Sequence, residues 1–348
     1  MAEHRMCASE RRHWLPVYGM NTGPIQGKGN GPACVVLFGP TAVGKSEVLI
    51  RLFDRRFEVI SADSMQVYRS MDIGTAKPGR ELRERLPHHL IDVVPPSHQF
   101  NAGEFVKAAE RLVAQISALG RVPVVCGGTA FYITSLLHGL PESPKGNRET
   151  RIRLKEMART QGHDAMVRLL RERDPEAAER IHPGDTYRIM RALEVLESSG
   201  ESVFSFRWPQ TLRKDFQFLL LGLHRSRDEL YKRIDRRVEE MFSKGLVDEV
   251  KTLLSLGYGP EDPGMKGIGY REILATRSGC QTLADARSLI KRNSRRYAKR
   301  QLTFFRSVEG VRWFDPDEIP RMSHAIEEFV AGASVFPPGV FPAPLDHW

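Results

Sequence analysis

The chain has 348 residues, 41% hydrophobic and 27% charged, with a net charge of +9. That is room for about two soluble globular domains, and the basic balance favours a polyanionic partner, nucleic acid first. No apolar run reaches the roughly 18 residues of a membrane span, the N-terminus has no signal-peptide core, and the scattered Cys7, Cys34, Cys126 and Cys280 form no C-x-x-C pair; no membrane segment, secretory leader, zinc site or disulfide framework is expected, and a reducing cytoplasmic setting is.

Residues 1–33 lack apolar periodicity and are dense in Gly and Pro from 23 to 32, so they read as a flexible extension. Residues 34–38 read as a buried parallel strand. They run into 39–46 (GPTAVGKS), a complete G-x-x-x-x-G-K-[ST] motif, and then into the helical pattern of 46–53. Strand, glycine loop and helix are the context in which this motif cradles phosphates. Gly39, Thr41, Ala42, Val43 and Gly44 offer curled backbone, the helix N-terminus adds partial positive charge, and Lys45 adds a full one. The Ser46 hydroxyl is placed to ligate Mg²⁺ bridging phosphates. A di- or triphosphate ligand is expected.

Residues 57–60 read as a second strand, ending in SADSMQ. Ligands of open parallel sheets sit beyond the carboxyl ends of the strands, which puts Asp63 at the same edge as the phosphate loop. It is a candidate for chemistry, with an N-cap as the alternative. Residues 71–80 read as a loop and 89–94 as a strand closed by Pro95 and Pro96. His88 and His89 lack a third ligand and read as turn or packing residues. Residues 101–119 form a helix with an Asn101/Glu104 capping box and an apolar face through Phe105, Ala108, Ala109, Leu112, Val113 and Ile116. Residues 122–126 are a strand ending in Gly127-Gly128-Thr129. No Walker-B acid follows it and no N-K-x-D motif exists, which argues against an ATP-driven machine or a GTPase switch.

From 141 to 215 strand-like runs vanish and mixed-charge helices take over, at 149–161, 164–173 and 185–198. This reads as an all-helical insertion, a lid or second substrate-binding domain. Residues 218–221 return to strand, and helices follow at 228–244 and 246–256. Residues 266–271 (KGIGYR) make a compact glycine-basic loop. The helix at 283–305 is the most basic part, with Arg287, Lys291, Arg292, Arg295, Arg296, Lys299, Arg300 and, just beyond, Arg306, and no acid among them. Such a face costs self-repulsion unless a polyanion offsets it. Tyr297 within it either stacks on a base or packs. Residues 311–314 close the sheet. The expected architecture is α/β: a P-loop NTPase-like parallel-sheet core (34–140 and 216–320) carrying the insertion (141–215) and a loose tail (321–348).

Together these pieces resemble the bacterial tRNA dimethylallyltransferases, or tRNA isopentenyltransferases, from about Val35 to Phe314. The matching stretches are GPTAVGKS (39–46), SADSMQVY (61–68), MDIGTAKP (71–78), PHHLID (87–92), CGGTAFY (126–132), RIMRALE (188–194), KGIGYRE (266–272) and RRYAKRQLTFFR (295–306). Cys126 stands where the family usually has an apolar residue. The resemblance implies transfer of a dimethylallyl group from dimethylallyl diphosphate to N6 of the adenine at tRNA position 37, by a Mg²⁺-dependent monomer acting on the anticodon stem-loop. It implies Asp63 as general base, Lys45 on the leaving diphosphate and Thr129 against the adenine. Arg233 is implied as a further diphosphate ligand, a surface ion pair being the alternative. It implies tRNA contacts at Asp63, Ser64, Met65, Gln66, Thr129, Arg151, Tyr187, Arg188, Arg191, Lys266, Gly269, Tyr270 and Arg271, and along 294–301, including Arg295, Arg296, Lys299 and Arg300. Without the resemblance, a phosphate-loop small-molecule kinase and a non-enzymatic RNA-binding protein remain open.

Overall fold

The expected strands form in a computed structural model that describes residues 31–144, 146–279 and 281–333. They are β1 (Ala33–Phe38), β2 (Phe57–Ala62), β3 (His88–His89), β4 (Val122–Gly127), β5 (Gln217–Leu223) and β6 (Arg312–Phe314). All pair in parallel, in the order β3-β2-β4-β1-β5-β6. β1, β2 and β4 are buried along their full length; that is why their sequences are continuous apolar runs and not alternating ones. One face packs against helices Lys45–Leu52 and Ile319–Gly332, the other against Ala102–Ala118 and Ala130–His138. Parallel register brings the carboxyl ends of β1, β2 and β4 to one edge: Phe38 lies beside Gly127, and Gly127 beside Ala62.

Two expectations are corrected. The strand expected at 89–94 shrinks to β3 plus an isolated bridge at Val94, because Leu90 (φ 61°) and Asp92 (φ 57°) turn the chain out of extended geometry. The tail expected to be loose from 321 instead carries helix Ile319–Gly332, with Met322, Ala325, Ile326, Phe329 and Val330 buried on the core. Their i, i+3, i+4, i+7, i+8 spacing is the signature of a core-facing helix. The expectations for residues 1–30 and 334–348 lie outside the described residues. His88 and His89 pack: His88 Nδ1 contacts the Leu86 carbonyl, and His89 Nε2 contacts buried Glu58.

The helical insertion has its own core of Leu154, Met166, Leu170, Ala177, Ile181, Ile189, Ala192 and Leu193. It includes helix Pro175–Arg180, which a mixed-charge pattern did not reveal, capped by Asp174. Among the described residues no helix is long and apolar enough to cross a membrane.

Candidate active site

The phosphate loop follows β1 as expected. Gly44 takes φ 119°, a left-handed value that favours glycine. Lys45 folds over the loop, its ammonium donating to the Gly39 and Pro40 carbonyls at 2.9 Å each. Burial pulls its pKa down to about 8, with Cys126 and Asp63 opposing and Arg237 reinforcing. Two arginines brace the loop: Arg225 Nε donates to the Val43 carbonyl, and Arg233 Nε to the Ala42 carbonyl at 2.8 Å. Arg233 also pairs with Glu47. Its contacts are thus those of an ion pair that holds the loop's backbone. Ser46 is exposed in the first helical turn.

Asp63 comes directly after β2, as its place in the sequence requires. Oδ1 accepts the N–H groups of Met65 (2.9 Å) and Gln66 (3.4 Å), closing its own turn. Oδ2 takes no part in these bonds. Closing the turn therefore uses one oxygen of the carboxylate and leaves the other outside these bonds. Thr129 Oγ1 accepts the Ser64 N–H at 2.9 Å and donates to the Ser64 hydroxyl at 3.2 Å, fastening the loop after β4 to the loop after β2. Gln66 is spent internally, its amide reaching Ser61 and the Thr75 and Ala76 carbonyls.

Three residues that the sequence did not place in the reaction reach this site. Gln301, buried on the basic helix Leu283–Phe305, accepts from the Thr41 N–H at 2.9 Å and donates to the Gly128 carbonyl at 2.6 Å. Tyr297, one turn earlier, packs inward within hydrogen-bonding reach of Thr129 and Gln301; burial and Asp63 push its phenol up to about 12. Arg237, one turn past Arg233 on helix Arg227–Ser243, is pulled below its ordinary value by burial while Asp63 pulls it back. A period-4 scan from Arg233 would have flagged Arg237. Burial likewise pushes the Cys126 thiol up to about 12, so it stays protonated beside Lys45 and Asp63. No cluster of three metal-binding His, Cys, Asp or Glu occurs among the described residues.

The residues implied as RNA contacts divide by exposure. Tyr187 and Arg188 are exposed on the insertion, as are Lys266 and Arg271 on the core. Arg151 is bidentate to buried Glu194 (2.5 and 3.0 Å), and Arg191 donates to Ser143 and the Pro144 carbonyl. Met65 packs against Gly267. Tyr270 corrects its expectation: it is fully buried, packed on Gly74, and its hydroxyl donates to Glu249 at 2.6 Å. Gly269 is buried too, its N–H donating to Glu272. Neither presents a side chain to RNA, because the glycine-basic loop turns inward to start helix Tyr270–Ala275.

This all-parallel sheet, with a lysine-bearing phosphate loop and a carboxylate at the end of the next-but-one strand, defines a P-loop NTPase-like protein with a helical insertion. Comparison with known proteins narrows the class. A model of the IPP transferase family matches residues 66–308. tRNA dimethylallyltransferase 2 of Geotalea uraniireducens is 44% identical over 300 residues, 85% of this chain and 97% of the relative. The tRNA dimethylallyltransferase of Geobacter sulfurreducens is 45% identical over 283 residues, 81% of this chain and 91% of the relative. Of solved structures, the tRNA isopentenylpyrophosphate transferase of Bacillus halodurans matches with a TM-score of 0.63 at 38% identity, covering 87% of this chain and 98% of that one. A eukaryotic dimethylallyltransferase acting on tRNA matches with a TM-score of 0.68 at 27% identity, covering 86% of this chain and 78% of that one. The chain belongs to the IPP transferase family, which sets the small-molecule kinase aside.

Proposed function

We propose that this chain transfers the dimethylallyl group of dimethylallyl diphosphate to N6 of adenosine 37 in tRNA, releasing diphosphate. The observation that carries the reading is that Asp63 lies near enough to Lys45, Arg237 and Tyr297 to act on the ionisation of each, next to Ser64, which is bonded to Thr129, at the edge where the phosphate loop opens. Cation and carboxylate are the two charges that allyl transfer to an amine requires, one for the leaving group and one for the proton.

The donor's diphosphate lies on the phosphate loop. As the bond from C1 of the allyl group to oxygen breaks, its electron pair leaves with the diphosphate. Lys45 and the loop N–H groups offset that charge in a site already arranged for it. The N6 lone pair forms the new bond to C1, and the N6 proton passes to Oδ2 of Asp63. Oδ1 keeps its two N–H bonds, so the base does not swing during the step. The adenine reaches this pocket by leaving its stack in the anticodon loop, to lie against Thr129. Tyr297, un-ionised, helps close the pocket to water. The exposed Ser46 hydroxyl is a hard oxygen donor that suits a largely hydrated Mg²⁺, and the ion when bound would add charge neutralisation at the diphosphate.

The test is mass spectrometry of nucleosides from tRNA incubated with the protein, Mg²⁺ and dimethylallyl diphosphate. N6-isopentenyladenosine at position 37 supports the reading. Its absence, or phosphate transfer from ATP to a small molecule, refutes it.

A further inference from the structure

The basic helix Leu283–Phe305 carries two stripes of cations, and only one is open to a partner. Arg287, Lys291 and Arg295 recur at intervals of four and face helix Arg227–Ser243. There Arg287 and Lys291 pair with Glu239 at 3.1 and 2.6 Å, and Arg295 pairs with Asp235 at 3.5 Å. The Arg287 guanidinium also lies over the Phe242 ring and that of Arg295 over Tyr231. These three charges are answered within the protein. Arg292, Arg296 and Lys299 are exposed, and none has an acidic partner among the described residues. A groove of about 530 Å³ is lined by Tyr231, Ser288 and Leu289 together with Arg292, Arg296 and Lys299; Arg295 lines it too, its charge already answered by Asp235.

We propose that this groove is a track for consecutive phosphates of the tRNA backbone, with Arg292, Arg296 and Lys299 as its phosphate contacts. The proposal rests on the tRNA reading above and extends it. It adds Arg292 and Ser288, which lie toward the helix start from the 294–301 segment that the family resemblance implies, and it removes Arg295 from the phosphate contacts. Side chains three and four apart on a helix stand about 5–6 Å apart, comparable with the step between successive phosphates of a strand. Three unanswered cations in such a row repel one another unless a polyanion lies along them. The acids that could answer them, Asp235 and Glu239, are taken by the other stripe. The apolar floor suits the sugar faces of a nucleic-acid strand, and the Ser288 hydroxyl can donate to a phosphate oxygen.

The experiment measures binding of an unmodified anticodon stem-loop to the full chain across a salt series. Arg292→Gln should lower the slope of log K against log salt by roughly 0.7–0.9, the value of one phosphate contact. Arg292→Lys should restore it, since charge and not shape is what the track uses. The charge-neutral double variant Asp235→Asn/Arg295→Gln should leave the slope unchanged. Wild-type binding with an unmoved Arg292→Gln slope, or a slope that falls in the double variant, overturns the track alone. No wild-type binding of the stem-loop overturns the tRNA reading and the track together. All the single changes are at exposed positions, so thermal melts should match wild type and keep the comparison clean.

Discussion

Gln301 Oε1 accepts the backbone N–H of Thr41 at 2.9 Å, joining residues 260 apart in the chain. Its Nε2 donates to the Gly128 carbonyl at 2.6 Å, so one amide ties the basic helix to both loops of the site. Gln301→Ala removes both bonds at once. An unsatisfied buried backbone group costs about 1–3 kcal/mol, so a fall in melting temperature is expected. A severalfold rise in KM for the donor should accompany it, because Thr41 loses its fixed position. Calorimetry with steady-state kinetics checks this; an unchanged donor KM would mean the loop holds itself.

Lys45 predicts a pH dependence. Its pKa in the folded chain is about 8, below the ordinary 10.5, because its ammonium is desolvated. Between those values the unfolded chain holds a proton that the folded chain has released, so stability without donor should rise with pH across that window. Below pH 8 both states are protonated and this term is flat. A bound diphosphate favours the ammonium, so donor binding should take up a proton above pH 8 and weaken as pH rises. Titration calorimetry at pH 8.5 in buffers of different ionisation enthalpy reads the uptake directly. Lys45→Met should abolish it, and transfer by that variant should slow by about a hundredfold. Equal heats in all buffers for the wild type would contradict the assignment.

Much of the site was legible because it is local. The phosphate loop, Asp63 and Thr129 each end a strand, and strands read well from short apolar runs. Arg237 was not legible as a site residue, and Gln301 and Tyr297, implied only as RNA contacts within 294–301, were not legible as supports of the phosphate loop and Thr129, because their partners lie on other elements: Gln301 meets Thr41 only once the sheet has folded. The basic helix shows the same limit. Its charges are visible in sequence, but Asp235 and Glu239, which answer Arg287, Lys291 and Arg295, come from a different helix. The closing helix Ile319–Gly332 is the opposite case, since its apolar periodicity was present and a proline-rich continuation masked it.

Tyr270→Phe separates support from contact. The Tyr270 hydroxyl donates to Glu249, whose carboxylate also takes the N–H groups of Asp72, Ile73 and Gly74. Hydrogen bonds to a charged group are worth about 1.5–3 kcal/mol, and a loss of stability in that range is expected on urea unfolding. Affinity for tRNA should stay as in wild type, since a buried ring cannot touch RNA. A clear loss of tRNA binding with unchanged stability would return Tyr270 to the RNA surface.

Asp63→Asn should be the most selective lesion. The Asn carbonyl oxygen can take over the Met65 and Gln66 N–H bonds now made by Oδ1, so the turn after β2 should hold. What is lost is the second oxygen as a proton acceptor. In the proposed reading the donor's diphosphate rests on the phosphate loop and the RNA backbone on exposed cations far along the chain, so both affinities should change little. The chemical step should slow by about a hundredfold to ten-thousandfold, the usual scale for removing a general base. The loss should fall on kcat, because the proton moves only as the new bond forms. If Asp63 serves only to anchor the adenine, KM for tRNA would rise and the single-turnover rate at saturating tRNA would stay near normal. Rapid-quench single turnover with labelled donor distinguishes the two, and a normal rate there would remove Asp63 from the role of base.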